Sequence, residues 1–206
     1  MFTKKEITWV IITILIMSFI IGFTEEFTVT SILIAFIIIS TSLIAKKLAS
    51  KYFYVEIQHE MWKFRRYGFL ERSRFKKPFP IGIVLPFLMT IFSLGLIRPL
   101  TFLEFKSKSS KLRILRTRGV ICRTLDVKES DLGLISAAGF WGLLFLSFLG
   151  ILLGIPMLIK YPVYYALWNL IPVSNLDGAK LFFGSFFNWV LLTVLNLIFL
   201  IGILLM

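Results

Sequence analysis

Val29-Thr30-Ser31-Ile32-Leu33-Ile34-Ala35-Phe36-Ile37-Ile38-Ile39-Ser40-Thr41-Ser42-Leu43-Ile44-Ala45 holds no charged side chain in 17 positions. A helix needs roughly 20 mostly apolar residues to cross the hydrocarbon core of a bilayer. A run this long and this apolar reads as a membrane span. Working outward, Ile7 to Phe23 is a second such run, and Leu132 to Ile159 and Phe186 to Met206 are two more. Ile81 to Ile97 is weaker, because Pro80, Pro86 and Pro99 punctuate it. Tyr161 to Val173 is apolar but too short to span. The chain as a whole is 58% hydrophobic, where a soluble domain carries about 45–50%. Helices are expected, since lipid-exposed backbone must satisfy its own polar groups. The alternating pattern of a membrane β-barrel is absent. The expected fold is an all-α integral membrane protein, a polytopic helical bundle of about 4–6 membrane segments.

One membrane domain, 1–206, accounts for the chain. Residues 1–45 form two N-terminal spans. Residues 46–130 form a basic region around the proline-broken apolar segment 79–103. Residues 131–206 form the C-terminal spans. The first run reads as an uncleaved span rather than a signal peptide, since it ends in Gly22-Phe23-Thr24-Glu25-Glu26 with no small-x-small cleavage site.

The formal net charge is +12. Lys46 to Lys77 holds ten Lys and Arg, and Arg98 to Lys128 holds nine. Basic loops stay cytoplasmic, which places the N-terminus inside, Glu25-Glu26 outside and the multi-pass chain in the cell membrane. If Ile81 to Ile97 crossed, the second basic segment would lie outside, so a re-entrant segment is favoured. Basic residues that flank spans set orientation and attract anionic lipid headgroups. Nucleic acid is not an expected partner.

Two polar constellations stand out. Asp177 lies in Trp168-Asn169-Leu170-Ile171-Pro172-Val173-Ser174-Asn175-Leu176-Asp177-Gly178-Ala179-Lys180. A carboxylate at a broken point of a membrane helix is a metal ligand, a proton site or half of an ion pair. The plainest alternatives are a pair with Lys180 and the capping of a helix that starts near Gly178. The second constellation is Glu56-Ile57-Gln58-His59-Glu60-Met61-Trp62-Lys63-Phe64. A helix over 52–67 would put Phe53, Ile57, Met61 and Phe64 on one face. Glu56, His59, Glu60, Lys63 and Arg66 would fall on the other. His59 is the only histidine in the chain.

In this order the two constellations resemble the site-2 proteases, intramembrane zinc metalloproteases with H-E-x-x-H on an early helix and L-D-G on a later one. Here His59-Glu60-Met61-Trp62-Lys63 stands in the first place, with Arg66-Tyr67-Gly68 beyond it. Asn169-Leu170-Ile171-Pro172 and Leu176-Asp177-Gly178-Ala179-Lys180 resemble the N-L-x-P and L-D-G block, and Ala137-Ala138-Gly139 resembles part of A-G-P-x-x-N. The resemblance implies zinc on His59 and Asp177, with Glu60 as general base. Asn169, Pro172 and Gly178 would support the site. The second histidine of the motif is Lys63, which has no lone pair to give when charged. The proline of A-G-P is Phe140 and its asparagine is Leu143.

The leading expectation is therefore a catalytically degenerate relative that binds no cofactor and acts by binding membrane partners such as transmembrane helices, with Lys63 pairing with Asp177. One alternative is an active zinc endopeptidase that recruits Glu56 or Cys122 as a further ligand. Another is a small transporter or lipid-interacting protein that uses Asp177 as an ion site. A serine hydrolase, a phosphate loop and a dinucleotide fingerprint find no support in the sequence.

Overall fold

The computed structural model describes residues 3–25, 29–66, 74–109 and 127–205. Helices α1 (Lys4–Glu25) and α2 (Val29–Tyr52) form an antiparallel hairpin. Three strands follow: β1 (Val55–Met61), β2 (Phe64–Arg66) and β3 (Arg74–Phe79). Next come the short helix α3 (Ile81–Phe92) and strand β4 (Leu103–Ser109). The C-terminal half is α4 (Glu129–Leu153), α5 (Pro156–Leu170), α6 (Asp177–Gly184) and α7 (Phe186–Leu205). Four of these helices, α1, α2, α4 and α7, are long and apolar enough to cross a membrane. The helical membrane bundle expected from the apolar runs is thus present, with two short ribbons, β1–β4 and β2–β3, set into its basic middle.

Strand β1 replaces the helix expected over 52–67. Its sequence Val-Glu-Ile-Gln-His-Glu-Met alternates strictly between buried and more exposed positions. Ile57 and Met61 are four apart, so they satisfy a helical and a strand period alike. Val55 and the pairing with β4 decide for the strand. Val55, Ile57, His59 and Met61 face the bundle, while Glu56, Gln58 and Glu60 face away.

The ribbon also brings the two ends of the 81–97 excursion together. Strand β1 pairs antiparallel with β4, from Val55 opposite Ser109 to Met61 opposite Leu103. Beyond it, the Trp62 N–H donates to the Phe102 carbonyl at 2.9 Å and the Gly82 N–H to the Trp62 carbonyl at 3.1 Å. The excursion through α3 therefore leaves and returns at one place. Twelve residues of α3 span about 18 Å, short of the roughly 30 Å of a hydrocarbon core. Both basic segments begin on the same side of the bundle.

Leu132 to Ile159, expected as one span, contains a turn. Helix α4 ends at Leu153, and the chain reverses at Gly154 into Pro156 of α5. Proline suits that first turn because its missing N–H has no intrahelical acceptor there. Helices α5 and α6 together retrace α4 from end to end. A Cβ on Gly150 would lie 2.8 Å from the Leu158 backbone, and one on Gly133 would lie 2.9 Å from Gly184. Between them the helix is interrupted over 171–176. Pro172 disfavours helical geometry at Ile171, the C-cap of α5.

The larger of two buried clusters joins the helices, and a smaller one of Val55, Ile57, Phe105 and Ile135 seats the β1–β4 ribbon on α4. Ile38, Ile39 and Leu43 of α2 pack with Phe140 and Leu143 of α4 and with Tyr161 and Tyr165 of α5. Phe140 and Leu143, which stand where the resemblance has proline and asparagine, are core side chains here.

Candidate functional site

The centre of the site is an ion pair that sequence reading did not assign. Lys46 Nζ on α2 donates to Asp177 Oδ2 at the start of α6. Both side chains are 4% exposed. Lys46 is buried because it continues the stripe of α2 that carries Ser42 and ends at Ser50, one helical turn apart each time. Space for it is left by Gly139 of α4, where a Cβ would come within 2.9 Å of Lys46 Cγ. Asp177 gains from its place in the first turn of α6, where the helix dipole favours negative charge. Its second oxygen, Oδ1, is buried without a hydrogen-bond partner among the described residues.

The interrupted helix holds Asp177 in place. Asn169 Nδ2 donates to the Leu100 carbonyl at 2.8 Å and to the Tyr165 carbonyl at 2.7 Å, which pins the end of α5 to the segment before β4. Trp189 Nε1 donates to the Leu170 carbonyl at 2.8 Å. Gly178 makes the return possible, since any Cβ there would collide with the Leu170 backbone. Lys180 donates to the Phe105 carbonyl of β4 and lies 3.5 Å above the Phe105 ring. Residues 171–175 themselves are exposed.

His59 sits beside this pair and is 2% exposed. Its Nδ1 lies 2.9 Å from Glu6 Oε1, which also accepts the His59 backbone N–H at 3.2 Å. Lys47 Nζ binds the other oxygen of Glu6 at 2.8 Å. Glu6 accepts at Oε1, so Nδ1 carries the proton and Nε2 presents a lone pair. Nε2 is buried without a partner among the described residues. Burial holds the imidazole below its usual 6.5, with the Glu6 hydrogen bond opposing; the Lys46 charge also lowers it and Asp177 raises it.

Comparisons with protein-family models, curated proteins and solved structures find no match for this chain.

The residues singled out from the sequence divide in two. His59, Asp177, Asn169 and Gly178 gather around one buried centre, with Pro172 in the break beside it. Glu60 and Lys63 do not join them. Neighbouring residues of a strand point to opposite faces, so Glu60 turns away from His59 to bind Lys106 at 2.6 Å. That hydrogen bond holds its carboxyl below the ordinary range. Lys63 lies 3.8 Å from Glu60 and 5.4 Å from the Trp9 ring centre. The expected pairing of Lys63 with Asp177 is corrected: the ammonium on Asp177 is that of Lys46. Cys122, Tyr67 and Gly68 lie outside the described residues.

This donor set does not fit a catalytic zinc, which takes three protein ligands and a water. His59 offers one lone pair. Asp177 faces an ammonium, and Glu60 lies on the other face of its strand. Among the described residues no three His, Cys, Asp or Glu side chains converge.

Three participants escaped sequence reading. Glu6 had a visible signal, since Thr3-x-x-Glu6 is a capping-box pattern; Thr3 Oγ1 accepts the Glu6 N–H at 3.3 Å and Glu6 Oε2 accepts the Thr3 N–H at 3.4 Å. Lys46 and Lys47 were hidden in a basic segment, where a lysine normally reads as a solvated flank.

Proposed function

We propose that this is a non-catalytic relative of the site-2 proteases, in which a lysine ammonium stands where the resemblance would place the metal. On this reading the helix that meets the Leu-Asp-Gly block is α2, and the H-E-x-x-H positions are Lys46-Lys47-Leu48-Ala49-Ser50. Lys46 and Ser50, at i and i+4 on one buried face, take the places of the two ligating histidines, and Lys47 that of the general base. His59 and Glu60 are then a chance match to the dipeptide. The chain binds membrane-spanning partners at the interrupted helix and does not cut them. Its N-terminus is cytoplasmic, with the basic ribbon region on the same side.

The observation that carries this reading is the buried Lys46–Asp177 pair. An ammonium beside a carboxylate balances its charge as a metal would but cannot activate water. The test is elemental analysis of full-length protein purified in mild detergent without chelator, beside Asp177→Asn. The expected result is no stoichiometric zinc in either. About one zinc per wild-type chain, lost in the variant, overturns the reading.

A further inference from the structure

The hairpin of α1 and α2 carries two cavities that line up. The first, of about 330 Å³, is an apolar slot lined by Ile7, Val10, Ile11 and Ile14 of α1 and by Phe36, Leu43 and Ile44 of α2, among others. The second, of about 360 Å³, lies at the end of the hairpin and has walls of mixed character. Thr3, Lys47, Ser50 and Lys51 line it, with Glu56 and Gln58 of β1 on its far wall. Helical spacing sets the two about one turn apart. Ile7, Ile11 and Ile14 form one stripe of α1, with Thr3 just before that helix, and Phe36, Ser40, Ile44, Lys47 and Lys51 form one stripe of α2. The two cavities thus follow one another along a groove from the apolar span to its basic rim.

We infer that this groove is a binding site for one anionic phospholipid, with an acyl chain in the slot and the headgroup phosphate at Lys51. Three observations favour this occupant. Ile7, Ile11, Phe36 and Ile44 are 47–54% exposed, so the slot opens sideways to lipid and not into the core. Lys51 is exposed, and its ammonium has no hydrogen bond or ion pair among the described residues. Lys47 is already held by Glu6 and the Ser50 hydroxyl donates to the Lys47 carbonyl, which leaves Lys51 as the group to meet a new anion. A zwitterionic headgroup would bring its own cation to this rim, and a peptide helix would not present a phosphate to it. Glu56 on the far wall selects against a second phosphate, so a headgroup with a single phosphodiester fits best.

The test uses the full chain in nanodiscs of phosphatidylcholine doped with phosphatidylglycerol, with retained lipid read by native mass spectrometry. Wild-type protein is expected to keep phosphatidylglycerol selectively. Lys51→Glu should weaken that retention roughly ten- to thirty-fold. Ile44→Trp, which fills the slot from the lipid side, should weaken it roughly tenfold. Lys128→Glu, exposed before α4 and lining neither cavity, should change it less than about twofold. Equal losses from Lys51→Glu and Lys128→Glu would reduce the effect to diffuse surface charge and overturn the site. No effect of Ile44→Trp, or displacement of the lipid by inorganic phosphate, would overturn it too, because the acyl chain would then play no part.

Discussion

Replacing Lys46 by Met shortens the side chain by one atom and removes its charge. Asp177 is then left buried opposite a thioether, with its Oδ1 already lacking a partner among the described residues. Breaking a buried ion pair by deleting one member costs about 3–5 kcal/mol, most of it the penalty of the uncompensated charge. Lys180 cannot simply take over, since its ammonium is committed to the Phe105 carbonyl. For a chain of 206 residues, each kcal/mol lowers the midpoint by roughly 2–4 °C, so Lys46→Met should fall by roughly 6–20 °C. Asp177→Leu alone should cost a similar amount, because it strands the ammonium. The double variant Lys46→Met/Asp177→Leu should be far better than either, within about 2 kcal/mol of wild type, because a buried pair and an apolar replacement of like volume are close in stability. The assay is thermal unfolding in mild detergent across the four members of the cycle. If the two single costs simply add in the double variant, the side chains do not interact, and the proposed site collapses.

Stability should also depend on pH through His59. Its folded-state value lies below that of the unfolded chain, so the unfolded state binds more protons as pH drops below about 6.5. Stability should therefore fall on going from pH 7 towards pH 5, by up to about 1.4 kcal/mol per pH unit, lowering the midpoint, and His59→Gln should flatten that slope. A slope unchanged in the variant would assign the effect elsewhere. Glu60→Gln should cost less than about 1 kcal/mol by the same unfolding assay, since its pairs with Lys106 and Lys63 are partly exposed; a loss as large as that of Lys46→Met would place Glu60 in the buried site. In a Cys122→Ser background, Ile155→Cys should react with an impermeant maleimide added to intact cells and Lys128→Cys should not, because α4 connects the two sides. The reverse pattern would invert the proposed orientation.

The membrane helices were legible because hydrophobicity sustained over a span's length is what a bilayer demands and a water-facing helix does not tolerate. Their ends were less so. Nothing apolar marks the reversal at Gly154, since Leu153, Ile155 and Met157 continue the run on both sides of it. The strand Val55–Met61 resembled a helix because Ile57 and Met61 fit both periods, and only pairing with a segment far along the chain separates them. Asp177 was found because a carboxylate in an apolar stretch is costly and needs a reason. Lys46 was missed for the converse reason: at the end of a span a lysine can reach headgroups, and burial there depends on Gly139, a residue the local pattern cannot connect to it. The L-D-G resemblance pointed to the right half of the pair and the wrong lysine.

The ion pair also has a history within each molecule's synthesis. Asp177 follows Lys46 by 131 residues. At a translation rate of about 5–20 residues per second, the ammonium exists for roughly 7–26 s before its carboxylate has been made. During that interval α2 ends in a cation with no permanent counter-ion, one that can snorkel along its methylene stem to the headgroups. Arrival of α5 and α6 then draws it inward. Closure of the bundle around Lys46 thereby waits for α6, and a chain that stops before residue 177 leaves that lysine without its carboxylate.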